Sequence, residues 1–307
     1  MLIYFKSGDF MNKKIINKSF FNRKNKIILE TSKVVFSNKL IKFNTNNDIK
    51  KIEEQIKNFL FIMNNNCKNF DSALFLNNFQ KTFFNLLEIN EKNKGNGNVS
   101  SDKKGIKFKI NSFNITNHEL LHLATLKGNG CGFKIAYEEG KIGEGINEGC
   151  TQFLTERYFN ENVGKAYFFE VEFVRILEKI IGKDNLEKNY FNLSLQGLVS
   201  ELEKYEKQCN AYQFIRNLDL INEYDFNNLS KNQINELQDI CTKICEFLYS
   251  CIINKINIIK TSDKSNSLKN DEINNLIDSI PTNFYGINFF DEEKINQLKE
   301  SLNIKKR

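Results

Sequence analysis

The segment NHELLHLAT, residues 117–125, contains both histidines of this 307-residue chain, His118 and His122, with Glu119 directly after the first. On an α-helix, residues four apart share a face, so both imidazoles could bind one ion. Glu119 is rotated by about 100° from His118, which keeps it off the ion but close enough to hold a water molecule beside it. The segment therefore predicts a helix with a two-histidine metal site, although HExxH also arises by chance in amphipathic helices.

The third ligand of such a site is expected downstream. Catalytic zinc usually has three protein ligands and an open fourth position. Because the chain has no third histidine, the remaining ligand is expected to be a carboxylate or a thiolate. The segment GEGINEGCTQFLTERYF, residues 143–159, offers Glu148 in the first turn of a helix predicted to begin near Asn147. Three other carboxylates compete with it from a glycine-flanked stretch without a helix to direct them: Glu138, Glu139 and Glu144.

The segments before the motif predict strands and helices together. Residues 26–44 carry short β-branched runs typical of two or three strands, and IKFKI, residues 106–110, alternates as a half-buried strand does. Helical patterns cover residues 48–64 and 71–88, and the polar, glycine-bearing segment 91–105 is typical of an exposed loop. This part of the chain is therefore predicted to hold a small mixed sheet.

From about residue 145 onward the periodicity is almost wholly helical. The segment AYFFEVEFVRILEKIIG has an apolar stripe at helical spacing and ends at Gly182, where a C-terminal cap would lie. A short strand, GFKIAY at 132–137, is expected between the two parts of the site. Further helices are predicted near 194–207, 231–258, 269–279 and 290–304. The fold class is thus α+β, with a mainly helical C-terminal half.

The hydrophobic content of 40% allows one large core or two moderate ones. We predict two parts that form one catalytic unit with a cleft between them. Residues 1–142 form an α/β part with the HExxH helix, and residues 143–307 form a helical part that carries the third ligand.

The charge pattern argues against nucleic acid as a partner. The net charge of +6 comes from 44 basic and 38 acidic residues spread along the chain, whereas a nucleic-acid footprint needs clustering. The N-terminal apolar run MLIYF is shorter than a signal-peptide hydrophobic region, and the sequence has no long uncharged apolar stretch that would span a membrane. The oligomeric state is left open.

The seven cysteines form an odd set without CxxC spacing, unlike a disulfide framework or a zinc ribbon. A reducing cytoplasm fits this set best. Cys241 and Cys251 are predicted to be small core residues rather than metal ligands, because they share an apolar helical seam with Ile234, Leu237, Ile244 and Leu248.

The pair HELLH and INEG, the latter on a second helix, resembles the gluzincin branch of the zincin metallopeptidases. The segment GINEGCTQFLTERYF also resembles a group of low-GC bacterial proteins that carry an NEG.T..LT helix after HExxH. The resemblance covers about 45 residues, from Asn114 to Phe159. It implies a zincin-like fold and a Zn²⁺ ion held by His118, His122 and Glu148. It also implies that Glu119 is the general base and that the strand IKFKI lies along the cleft and binds an extended substrate.

One position departs from that family. Gln152 stands where thermolysin-like enzymes have an aspartate that supports a zinc-binding histidine, so support is expected from Gln152, Thr151 or a backbone carbonyl. The family also uses a histidine or a tyrosine to stabilise the oxyanion. With no histidine left over, the tyrosines nearest in sequence are Tyr137 and Tyr158, each of which is more often a packing residue.

The sequence thus predicts a zinc-dependent metallohydrolase, most simply a peptidase acting on a peptide or protein substrate. Its rival is a zincin-like interaction or regulatory protein that hydrolyses nothing. The missing aspartate favours the rival, and the HExxH and NEG pair favours the enzyme.

Overall fold

The computed structural model describes residues 46–86, 98–102, 105–110, 117–138, 140–161, 167–226, 228–278, 280, 283–284, 287–288 and 292–301. The described part is mostly helical with small sheets, which confirms the α+β class. The strands predicted within 26–44 lie outside the described residues, as does Glu139.

Two helices begin the described chain, α1 (Asn46–Asn66) and α2 (Ser72–Gln80). Asp71 caps α2, since its carboxylate accepts hydrogen bonds from the amides of Ala73 and Leu74. The single helix predicted over 71–88 is wrong in its second half, where strand β1 (Thr82–Leu86) follows instead. Its sequence, TFFNL, is rich in β-branched and aromatic residues, and short apolar runs of this kind suit a strand as well as a helix.

The first sheet is mixed, with the order β1-β3-β2. Strand β3 (Gly105–Ile110) confirms the predicted strand and pairs in parallel with β1. Strand β2 (Asn98–Asp102) pairs with β3 in antiparallel, within a segment predicted to be a loop. Its sequence, NVSSD, is mostly polar and does not indicate a strand, because strand pairing uses backbone groups.

This strand order corrects the predicted role of residues 106–110. Strand β3 has a neighbour on each side along nearly its whole length, so both of its hydrogen-bonding edges are occupied. An extended peptide adds to a free edge of a sheet. The segment IKFKI therefore cannot bind a substrate in the expected way.

The second sheet connects the two helices of the predicted site. Helix α3 (Asn117–Thr125) is followed by an antiparallel sheet and then by α4 (Glu144–Phe159). Its strands lie in the order β4-β5-β6, with bounds Gly130–Cys131, Lys134–Tyr137 and Gly140–Ile142. The short strand predicted at 132–137 corresponds to β5.

The remaining elements are helical apart from one small hairpin. Helix α5 ends at Gly182, as predicted, with φ of 88° at the glycine. The elements are α5 (Phe168–Ile181), α6 (Lys183–Phe191), α7 (Leu195–Leu202), α8 (Gln208–Ile221), α9 (Lys231–Thr261), α10 (Asn266–Ile277), β7 (Asn283–Phe284), β8 (Ile287–Asn288) and α11 (Glu292–Ser301). Among the described residues, no helix combines the length and apolar character that crossing a membrane requires.

The hydrophobic core includes buried residues from Ile56 of α1 to Ile295 of α11, and α4 lies within it, packed against α3, α5 and α8. It therefore includes residues on both sides of the predicted boundary at 142. Cys241 and Cys251 are buried, as predicted. Ile234 is not, with 42% of its surface exposed, because the first turns of α9 contain no buried residue.

Candidate metal centre

Helices α3 and α4 bring the three predicted ligands together. The Nε2 atoms of His118 and His122 lie 3.0 Å apart. The Oε2 atom of Glu148 lies 3.2 Å from the first and 3.1 Å from the second. Both histidines are buried, and the side chain of Glu148 is 13% exposed. Among the residues that the structure describes, this is the one group of His, Cys, Asp and Glu atoms close enough together to hold a metal ion.

The spacing of these atoms fits a zinc ion. Ligand atoms about 2.0–2.1 Å from a tetrahedral zinc ion are about 3.3 Å from one another. The three observed separations, 3.0 to 3.2 Å, are close to that value. Two imidazole nitrogens and one carboxylate oxygen are also the donor set that zinc takes in catalytic sites.

The N-terminus of α4 is held by Asp219 of α8. Its carboxylate accepts hydrogen bonds from the amides of Gly143 and Gly145, at 2.9 and 2.8 Å. Helix α4 therefore begins at Glu144, earlier than the predicted start near Asn147, and Glu148 lies in its second turn. Two features require glycine here. Gly143 has φ of 80°, and a Cβ at Gly145 would overlap the carbonyl oxygen of Leu218.

The NEG triplet, Asn147 to Gly149, has a separate structural reason for each residue. The Oδ1 atom of Asn147 accepts a hydrogen bond from the amide of Phe133 at 3.1 Å, which ties α4 to the second sheet. Glu148 is the candidate ligand. A Cβ at Gly149 would lie 2.7 Å from the backbone of Glu170, so only glycine lets α5 pack this closely on α4.

The polar residues after the triplet also have partners. The hydroxyl of Thr151 lies 2.7 Å from the hydroxyl of Tyr190, which directs it away from the histidines. The Oε1 atom of Gln152 lies 3.2 Å from Nδ1 of His118, and its amide donates to Glu156 at 3.3 Å. Of the supports considered from sequence, Gln152 is thus the one that contacts a histidine.

His122 has different neighbours on its second ring nitrogen. The Sγ atom of Cys131 lies 3.5 Å from Nδ1 of His122, and Nδ2 of Asn147 lies 3.4 Å from the same atom. Cys131 was missed from sequence because it sits in a two-residue strand without a motif. The only signal was its position, nine residues after His122 and beside a glycine.

The candidate ligands His122 and Glu148 shift each other's pKa in opposite directions. Burial disfavours the charged form of His122, but the Glu148 carboxylate and Cys131 outweigh it and raise the pKa of His122 well above its usual value. Burial likewise opposes ionisation of Glu148, yet His122 and His118 hold the pKa of its carboxyl well below the usual range. Glu148 thus favours a proton on His122, and the histidines favour the ionised form of Glu148.

Glu119 lies beside the ligands on α3 and is buried. Burial raises the pKa of its carboxyl, the two histidines lower it, and Glu148 adds to the increase. Because its pKa is raised, the Glu119 carboxylate accepts a proton more readily than an ordinary carboxylate does.

The competing carboxylates do not join the ligand group. Glu144 forms ion pairs with Lys134, at 2.6 Å, and with Lys141, and these lysines lower the pKa of its carboxyl against the effect of burial. Glu138 is exposed at the end of β5. Both therefore lie outside the group formed by the histidines and Glu148.

A tyrosine that the sequence analysis did not suggest contacts the centre. Tyr137 is 62% exposed on β5, and the hydroxyl of Tyr158 donates to Glu187 at 2.6 Å. Tyr167, at the start of α5, stacks on the His118 ring with centroids 5.7 Å apart and an 8° angle between the planes. Burial and then Glu148 raise the pKa of the Tyr167 hydroxyl, so it stays protonated.

Comparisons with protein-family models, with curated proteins and with solved structures found no match for this chain. The resemblance to the gluzincins therefore rests on the motif residues, and it stays a prediction.

Proposed function

We propose that the protein is a zinc-dependent metallohydrolase, a peptidase with a zincin-like site. One observation carries this proposal, the convergence of His118, His122 and Glu148 at 3.0 to 3.2 Å beside the buried Glu119. Zinc held by these ligands would supply Lewis-acid chemistry, since it lowers the pKa of water and polarises a carbonyl group.

The side chain of Glu119 is assigned the proton transfers. Its carboxylate takes a proton from the attacking water and later returns that proton to the leaving amine. Its raised pKa supports this role, because a carboxyl that binds protons more tightly is a better base in its ionised form.

Tyr167 is assigned the stabilisation of negative charge on the substrate. Its ring stacks on the His118 ring, while burial and the Glu148 carboxylate raise the pKa of its hydroxyl. Tyr167 therefore borders the centre from the side of α5. A protonated hydroxyl can donate a hydrogen bond to the oxygen on which charge develops. Tyr167 thus replaces Tyr137 and Tyr158 in this proposal.

The substrate backbone is assigned to β2 (Asn98–Asp102). In the described sheet β2 is an outer strand, and it packs against α3, which carries the histidines. Pairing with an outer strand fixes an extended peptide by its own amide and carbonyl groups. Peptides are therefore favoured as the substrate class.

The cell compartment is proposed to be a reducing cytoplasm. All seven cysteines are free thiols. Oxidising compartments favour disulfide formation between cysteines, so a set of this size without a bridge suits a reducing one.

The rival proposal is a zincin-like regulatory or interaction protein without turnover. It is favoured by Gln152, which meets His118 with a neutral amide where the family has a carboxylate. A neutral acceptor raises the basicity of a ligating imidazole less than a charged one does.

Replacing Glu119 with Gln separates the two proposals. We expect Glu119→Gln to keep the zinc content of the parent and to lower hydrolysis of a denatured protein substrate by at least about 100-fold, the effect of a lost general base. Glu246→Gln, on the exposed face of α9, is the matched control and should behave as the parent. A zinc-loaded parent that shows no more hydrolysis than Glu119→Gln would support the regulatory protein.

A further inference from the structure

We propose that Cys131 is a positioning residue, whose sulfur accepts the Nδ1–H of His122 and so leaves Nε2 free to bind the metal. The inference rests on the zinc site of the proposed function. It assigns to a thiol the part that a carboxylate or a carbonyl oxygen usually takes beside a ligating histidine.

The first step concerns which nitrogen of His122 faces the ligands. Its Nε2 lies within 3.1 Å of both Nε2 of His118 and Oε2 of Glu148. A metal at this point would be bound through the Nε2 lone pair. A neutral imidazole that binds through Nε2 carries its proton on Nδ1, and that N–H needs an acceptor.

The second step excludes Asn147 as that acceptor. The Oδ1 atom of Asn147 already receives the amide of Phe133, at 3.1 Å. The NH2 end of Asn147 therefore faces His122, and it is a donor. Rotating the amide would place its oxygen near His122 but would leave the buried amide of Phe133 facing a second donor.

The third step identifies the sulfur. Sγ of Cys131 lies 3.5 Å from Nδ1 of His122 and 3.6 Å from Nδ2 of Asn147, so both nitrogens contact one sulfur. With the proton on Nδ1, as metal binding through Nε2 requires, both groups are donors and the sulfur is the acceptor that they share. Cys131 thus supports the His122 tautomer that binds metal through Nε2, and Phe133 fixes the orientation of the Asn147 amide.

The chain holds Cys131 in this place by the turn that follows it. Cys131 pairs with Lys134 across β4 and β5. Gly132, between them, has φ of 56°, and a Cβ there would overlap Oδ1 of Asn147. Only glycine allows Asn147 to approach the turn, so Gly132 is needed to keep Asn147 close to Cys131. His118 is supported differently, by Gln152, and the two ligands can therefore be tested one at a time.

The test compares Cys131→Ala with Cys131→Ser, and uses Cys209→Ala, an exposed cysteine of α8, as the control. Zinc affinity is measured by competition with a chelator, and the ring nitrogens are followed by ¹⁵N NMR in zinc-free and zinc-loaded protein. With only two histidines, the imidazole region contains two sets of signals. Gln152→Ala identifies the set of His118.

We expect Cys131→Ala to weaken zinc binding by about 10- to 100-fold, the range for a lost partner of a ligating histidine. The Nδ1–H of His122 should exchange faster with water, and the signals of His118 should not move. Cys131→Ser should retain most of the affinity, because a hydroxyl also accepts hydrogen bonds. Cys209→Ala should match the parent.

Each failure has its own signature. Unchanged zinc affinity and an unchanged His122 signal in Cys131→Ala, in a parent that binds zinc, would overturn the role of Cys131 and leave the enzyme proposal intact. The expected losses in a protein that hydrolyses nothing would support Cys131 and contradict the enzyme. A parent that binds no zinc would contradict the proposed function, and the His122 signal of the zinc-free protein would then decide whether the sulfur contact exists.

Discussion

Helix α4 carries two buried clusters of ionisable groups, and they differ in where the positive charge comes from. At its C-terminal end, Arg157 lies between Glu178, at 2.5 Å, and Glu187, at 3.2 Å. Nearer its N-terminus, Glu148 faces His118 and His122, which offer lone pairs rather than a fixed charge. The first cluster supplies its own cation, and the second is complete only with a proton or a metal ion. The comparison shows why buried acidic groups on one helix can serve structure in one place and chemistry in another.

Removing the carboxylate of the N-terminal cluster should have the largest effect. We expect Glu148→Ala to lose most of its zinc, from about one ion per chain, because two histidines alone make an incomplete site. The loss in affinity should exceed the roughly 100-fold seen for partners that only support a ligand. Elemental analysis of protein purified without chelator or nickel measures it, and zinc retained at the parental level would show that Glu148 is not a ligand.

Removing the cation of the C-terminal cluster should instead destabilise the fold. Arg157→Met leaves Glu178 without its cation and leaves the almost fully buried Glu187 with Lys183 alone, 3.8 Å away. We expect a loss of about 3 kcal/mol in the free energy of unfolding, at the lower end for a broken buried pair because Arg157 is 22% exposed. Denaturant unfolding measures it, and the folded fraction should keep its zinc.

Arg175 provides the control for that substitution. It pairs with Glu156 and Glu172 on the surface and is 44% exposed. Arg175→Met should cost less than about 1 kcal/mol, as exposed ion pairs do. Equal losses for the two variants would mean that the buried cluster is no more important than a surface pair.

Lowering the pH should weaken zinc binding at the N-terminal cluster and leave the charge of Arg157 in the C-terminal cluster unchanged. Since the pKa of His122 is raised, a proton occupies its ring over a wider pH range than usual, and zinc must displace it. Apparent zinc affinity should therefore fall as the pH falls, by about tenfold per pH unit for each displaced proton, and should rise as the pH rises until His122 is neutral. Burial lowers the pKa of Arg157, but Glu178 and Glu187 raise it further, so its charge persists. Chelator competition between pH 5.5 and 8.5 checks this, and an affinity that does not depend on pH would contradict the proton at His122.

The juxtaposition of the three candidate ligands could be predicted from sequence because its elements are encoded locally. His118 and His122 are one turn apart, and the NEG triplet places Glu148 on a helix with a recognisable glycine pattern. Long periodic segments such as α5 and α9 were predicted for the same reason, since an apolar stripe repeats over many turns.

The residues that were missed depend on contacts between distant segments. Tyr167 reaches His118 across 49 positions, as the difference of their numbers shows, and Cys131 reaches Asn147 through a turn. Strand β2 was missed because its pairing uses backbone groups, which polar side chains do not reveal. The helix expected over 71–88 failed because a short apolar run does not distinguish a helix from a strand.

The three glycines of α4 and its cap reflect a constraint of packing rather than of metal binding. Gly143, Gly145 and Gly149 each leave no room for a Cβ, because backbone from β4–β5, α8 or α5 lies against them. The spacing G.G...G is therefore required by the packing of α4, whatever residues stand at positions 118 and 122. The helix that presents Glu148 thus has a structural requirement of its own, separate from that of the candidate metal centre.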